Sequence, residues 1–142
     1  MKKSDLLKET IEHIDIKKID STQLIDAMRK MSFTSRDVAS ATDIYMDMLK
    51  DKECTNILTI AGSTSAAGCM QVYVDLIKNK MIDAVVSTGA SIIDMDFFEA
   101  IGFKHYKGST EIPDTQLRDL YIDRIYDTYI DDGWSGTSFD RP

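Results

Sequence analysis

Two short apolar runs constrain this 142-residue chain more than any other feature. Asn56-Ile57-Leu58-Thr59-Ile60-Ala61 and Ile82-Asp83-Ala84-Val85-Val86-Ser87 are rich in β-branched side chains. Each ends at small residues, Gly62 in the first case and Thr88-Gly89-Ala90 in the second. Such runs predict buried strands of a parallel sheet. Helical periodicity follows both. Met70, Val74 and Ile77 share one side between Ala66 and Asn79, and Ile92, Phe97, Phe98 and Ile101 recur before Gly102. Strand, helix, strand, helix is a βαβ unit with a right-handed crossover. The expected class is α/β, a partial Rossmann-like parallel sheet preceded by N-terminal helices.

The first part of the chain, to about Lys50, reads as those helices. Leu6, Leu7, Ile11 and Ile14 recur at helical spacing. Asp20 and Gln23 resemble a capping box ahead of Leu24, Ile25, Ala27, Met28 and Met31. Thr34 is a second N-cap, with Asp37 in the first turn and Val38, Ala41, Ile44, Tyr45 and Met48 as an apolar stripe. That stripe reads as core packing. Residues 103–113 read as a loop, and Asp114 as the cap of a last helix through Leu117, Leu120, Tyr121, Ile125 and Tyr129.

Composition narrows the function classes. A net charge of −7 and a pI near 4.7 argue against nucleic acid, which needs a basic face. An acidic chain is compatible with a cationic ligand such as a polyamine. No apolar run approaches a membrane span, and no apolar region follows Met1-Lys2-Lys3, so neither a membrane partner nor a signal peptide is expected. Cys54 and Cys69 lack metal-ligand spacing and read as reduced thiols. The expected setting is cytoplasmic, with no metal.

Ligands in parallel α/β sheets bind outside the carboxyl ends of the strands. The first such place is Gly62-Ser63-Thr64-Ser65-Ala66-Ala67-Gly68. Small residues there let backbone N–H groups approach a ligand, hydroxyls add donors, and a helix follows. It matches neither the dinucleotide fingerprint nor a Walker loop, so a tight strand-to-helix turn is at least as good a reading as a phosphate cradle. The second place, Ser87-Thr88-Gly89-Ala90-Ser91-Ile92-Ile93-Asp94, repeats the chemistry and adds the carboxylates Asp94 and Asp96. A carboxylate there caps the helix or holds a ribose hydroxyl or an amine. Together the two loops imply a nucleotide or dinucleotide site.

Residues 82–94, Glu-Ala-Ile-Gly (99–102), His105-Tyr106-Lys107-Gly108 and Ile-Asp-Arg-Ile-Tyr-Asp (122–127) together resemble deoxyhypusine synthase, especially its archaeal and bacterial-type members. The likeness covers roughly residues 15 to 130. It implies a transferase that uses NAD to oxidise spermidine and passes the aminobutyl group to a lysine, in eukaryotes and archaea that of the precursor of the hypusine-carrying translation factor. It implies a Rossmann-like domain in an oligomer with NAD at subunit interfaces. Carried onto this chain, it makes Ser63, Thr64, Thr88, Gly89 and Ala90 cofactor-binding residues. Asp94 becomes a substrate contact suited to a cationic amine. His105 is a further substrate candidate, a structurally bonded loop histidine being the alternative. Eukaryotic members carry Ser-Asn where this chain has Gly62-Ser63, and Glu where it has Asp94, so the contacts differ in detail.

The family's catalytic lysine lies in a C-terminal half that no lysine here matches, so no catalytic residue is assigned. From Tyr129 the chain resembles a serine-recombinase segment, Asp-Asp-Gly-Trp-Ser-Gly-Thr ending Phe-Asp-Arg-Pro. The expected division is therefore an NAD-binding portion over 1–130 and a mobile tail over 131–142. Two functional readings follow: a synthase component that needs a complementary C-terminal-half chain, or a truncated, inactive remnant that self-associates or binds nucleotide weakly. An unrelated nucleotide-binding module is a third, disfavoured by the ordered set of family blocks. Either of the first two leaves a two-stranded sheet with open edges. Sedimentation of the pure chain should therefore show a homo-oligomer or aggregates, and a stable monomer at all concentrations would refute that expectation.

Overall fold

The computed structural model describes residues 1–131, so the recombinase-like segment lies outside the described residues except for its first three, Tyr129, Ile130 and Asp131. The chain divides into two units. One comprises Ile14–Ile60 and Gln71–Val86; the other comprises Met1–His13, Ala61–Met70 and the described residues from Ser87 onward.

The first of these units carries the expected βαβ core. After a short turn at Ile16–Lys18 come α2 (Thr22–Met28), α3 (Thr34–Lys50), β1 (Ile57–Ile60), α4 (Met70–Lys78) and β2 (Ala84–Ser87); α1 (Lys3–Leu6) belongs to the other unit. β1 and β2 pair in a parallel two-stranded sheet, as the alternation of elements predicts. The capping signals are shifted by a residue. Asp20 does accept a hydrogen bond from the Thr22 N–H (2.9 Å), but from one position ahead of the N-cap Ser21, and Thr34 is the first helical residue rather than the cap. The Tyr45 hydroxyl of α3 donates to the Met81 carbonyl at 2.8 Å, and burial raises its pKa above the ordinary phenol value. Asp75, buried on α4, accepts from Gln71 (3.0 Å) and Lys17 (2.9 Å). That partner holds the Lys17 ammonium above the ordinary lysine range. A buried carboxylate without such donors would be costly.

The strands are less buried than their composition suggests. Ile57 and Val86 are 57% and 59% exposed. The reason is topological: a two-stranded sheet has too little area to sandwich both faces.

In the second unit, three expectations change. The N-terminal helix stops at Leu6, and residues 9 to 11 run extended instead: Ile11 N–H donates to the His105 carbonyl and Lys107 N–H to the Glu9 carbonyl, both at 2.8 Å. The loop after Gly102 contains a strand, β3 (His105–Lys107). The last helix, α7 (Asp114–Asp119), ends early, and the hairpin β4 (Ile122–Ile125) and β5 (Thr128–Asp131) follows it. Tyr121 at φ 56° turns the chain out of the helix. Ile122, Ile125, Thr128 and Ile130 then favour strand, because β-branched side chains fit a half-buried pleat. The three strands form an antiparallel sheet in the order β3-β5-β4, with Tyr106 and Arg124 both opposite Tyr129. Leu117, Ile122 and Tyr129 make its core, and the Tyr129 hydroxyl donates to the Ser109 carbonyl at 2.7 Å.

The helix expected from Ala66 does not start cleanly. Residues Ser65–Cys69 form a wide turn that leads into α4, and Gly68 within it sits at φ +92°. A Cβ at Gly68 would lie 2.8 Å from the Glu12 backbone carbonyl. Both the left-handed backbone and the close approach require glycine. Gly68→Ala should destabilise the protein by roughly 1–3 kcal/mol, read as a lower urea midpoint with unchanged m; an unchanged midpoint would show that residue 68 bears neither constraint.

Candidate functional site

Both loops singled out from the sequence lie in the same unit. In the first, Ser63 and Thr64 are half-buried, and their carbonyls accept from Ala67 N–H (3.1 Å) and Cys69 N–H (3.0 Å), which winds the wide turn. Gly62, at φ +79°, has open space where a Cβ would stand. Ser65 is fully buried, and its Oγ has no hydrogen-bond partner. In the second loop, Thr88 follows the strand at the N-cap position, and Gly89 and Ala90, both exposed, open α5 (Gly89–Ser91). Ser91 is fully buried. Its hydroxyl donates to the Gly62 carbonyl at 2.6 Å and lies 3.3 Å from Thr88 Oγ1. Ser91 thereby ties the two loops together across 29 residues of sequence.

Asp94 is exposed in a second wide turn, Ile92–Phe97, and Asp96 is half-buried with one carboxylate oxygen unpartnered. The turn runs into α6 (Phe98–Ala100), which carries Glu99. The Glu99 side chain is only 5% exposed. Its Oε1 lies 2.8 Å from His13 Nε2, and its Oε2 lies 3.3 Å from His105 Nδ1. The second contact is close enough for charge attraction but poorly aligned, so Oε2 and His105 Nδ1 are left without a hydrogen bond. His105 is thus buried against a carboxylate rather than turned to solvent. Beyond it on β3, Lys107 pairs with Glu9, whose hydrogen bond and charge raise the lysine pKa.

The structure therefore brings Ser63 and Thr64 into one assembly with Thr88, Gly89 and Ala90, and engages His105 with Glu99 and His13. Sequence reasoning quoted Ser91 and Glu99 without assigning them a role, and did not single out His13. Ser91 stood inside the second loop, but its partner carbonyl carries no side-chain signature. His13 and Glu99 are 86 residues apart, and no local pattern joins them. Among the described residues, no three His, Cys, Asp or Glu side chains gather as a metal site. No described helix is long and apolar enough to cross a membrane. A groove of about 550 Å³ lies at the hairpin, lined by Leu117, Ile122, Arg118 and Arg124 among others. It contains none of the loop residues, and Arg124 is already compensated by Asp114 at 2.6 Å. The tied loops are the better candidate, because small residues and hydroxyls are the groups that grip a nucleotide.

The family model for deoxyhypusine synthase matches residues 23–138. The match continues past Tyr129, where the sequence suggested a departure from the family pattern. The chain is 65% identical over 92% of its length to a deoxyhypusine synthase-like protein of Coxiella burnetii, strain Dugway 5J108-111, of which it covers 37%. It is 62% identical over 92% of its length to a deoxyhypusine synthase-like protein of Caulobacter vibrioides, covering 35% of that protein. It is 40% identical over 81% of its length to a probable deoxyhypusine synthase of Methanosarcina thermophila, again covering 37%. The chain thus spans about a third of the length of the curated relatives it matches.

The shared carboxylate makes a direct test possible. His13→Ala and Glu99→Ala should each destabilise the protein, Glu99→Ala by roughly 1–3 kcal/mol because the half-buried His13 Nε2 loses its hydrogen-bond partner. The double variant should show a coupling of about 0.5 kcal/mol or more in chemical denaturation. Strict additivity would mean that the contact contributes nothing.

Proposed function

The chain belongs to the deoxyhypusine synthase family, and from that membership we propose that it is the NAD-binding portion of a spermidine-oxidising transferase. The observation that carries this reading is the Ser91 hydroxyl bonded to the Gly62 carbonyl. It gathers two small-residue loops into one polar surface, with Gly62 and Gly89 open where side chains would block a ligand. Ser63, Thr64, Thr88, Gly89 and Ala90 would hold the dinucleotide. When bound, NAD supplies the hydride acceptor for oxidation of an amine.

The exposed Asp94 would hold a spermidine ammonium, since an amine leaving water needs a compensating charge. His105 would act from behind, through Glu99, rather than by touching the substrate. The lysine that receives and passes on the aminobutyl group would come from the part of the family's length that residues 1–142 do not span. The final acceptor would be a protein lysine, as in the translation factor precursor, or a small amine. The protein would work in the cytoplasm as an oligomer.

A second reading is an inactive portion that self-associates and binds nucleotide weakly. The exposed apolar side chains Ile93, Phe97 and Ile101 favour it, because covering such side chains contributes roughly 1.5–3 kcal/mol each.

Calorimetric titration with NAD, followed by NADH absorbance after spermidine is added, separates the two. The transferase portion should bind NAD and form NADH only when the complementary half is present. NAD binding without NADH under either condition would favour the inactive portion. NADH from this chain alone would overturn the need for a second lysine-bearing half.

A further inference from the structure

The three groups that join the loops are Thr88 Oγ1, Ser91 Oγ and the Gly62 carbonyl, and their protons can be assigned by valence alone. A carbonyl oxygen only accepts, so the 2.6 Å contact uses the single Ser91 hydroxyl proton. Ser91 then has nothing left to donate. The 3.3 Å contact between Thr88 Oγ1 and Ser91 Oγ must therefore be donated by Thr88. The chain of hydrogen bonds runs one way, from Thr88 to Ser91 to the Gly62 carbonyl. Ser91 is fully buried, so water does not compete for its proton, whereas Thr88 is exposed at the loop surface.

We propose that Ser91 is a positioning residue that makes Thr88 an obligate hydrogen-bond acceptor toward the ligand. With its proton committed inward, the Thr88 hydroxyl presents only lone pairs outward. It selects a donor group such as a ribose hydroxyl, a carboxamide NH₂ or an ammonium, and it gives nothing to a phosphate oxygen. Phosphate recognition at this site is left to backbone N–H groups and to the half-buried Ser63 and Thr64 of the first loop. This inference rests on the dinucleotide reading for its ligand but not for its proton order.

Two measurements keep those apart. In the ligand-free protein, NMR should find the buried Ser91 hydroxyl proton slow to exchange and directed at Gly62; a Ser91 proton directed at Thr88 would overturn the proposal, whatever binds. In binding, Thr88→Val should weaken NAD by roughly 2- to 12-fold, the loss of one neutral hydrogen bond. Thr88→Ser should restore it, and Thr88→Val should leave inorganic pyrophosphate affinity unchanged. In Ser91→Ala the Thr88 proton is released, so pyrophosphate binding should become dependent on Thr88, an effect that simple loss of packing does not produce. Equal weakening of NAD and pyrophosphate by Thr88→Val in the wild-type background would show Thr88 donating and would refute the assignment. If the wild-type chain binds no NAD, the dinucleotide reading fails, and the NMR result alone decides the proton order.

Discussion

The hydrogen bond from the Ser91 hydroxyl to the Gly62 carbonyl is the interaction on which the candidate site depends. Each loop alone is a run of small residues with little side chain to hold its shape. Backbone turns supply part of the order: the Ser63 and Thr64 carbonyls start one wide turn, and Ile92–Phe97 forms the other. Such turns set the curvature of each loop but not the distance between them. The buried hydroxyl does set it, because an O–H···O contact has a narrow length range and is stronger where water is excluded.

Around this bond the same unit is stitched from segments remote in sequence. The N-terminal stretch runs beside β3 through the Glu9 and Ile11 backbone contacts, and His13 reaches Glu99. Glu12 presses its carbonyl against Gly68, which admits no side chain. The wide turn after Gly62 is therefore bounded by the N-terminal segment and tied by Ser91. The hairpin core of Leu117, Ile122 and Tyr129 completes the unit with ordinary apolar packing. Polar contacts shape the loop region, whereas apolar burial secures the hairpin.

Much of this was legible. β1 and β2 stand where β-branched runs predicted them, and α3 follows its apolar stripe from Thr34 to Lys50. The misreadings share a cause. Leu6 to Ile14 and Leu117 to Tyr129 both show helical spacing, yet Glu9–Ile11 pairs with β3 and Thr128–Asp131 lies between β3 and β4. Spacing over a short window is compatible with either period, and pairing with a distant strand decides between them. His105 was named for its type; the helix that carries Glu99 was legible from Ile92, Phe97, Phe98 and Ile101, but no local pattern announced that its carboxylate meets His105.

What the sequence by itself determined is the family, the parallel β1–β2 pairing and the identity of the two loops, because these follow from local composition and ordered blocks of residues. What only the tertiary structure decided is which polar groups remain available within those loops. Ser91 and Thr88 look alike in the sequence, two hydroxyls three residues apart. A carbonyl 29 residues upstream takes the proton of one and thereby fixes the direction of the other, since a hydroxyl has a single proton to give.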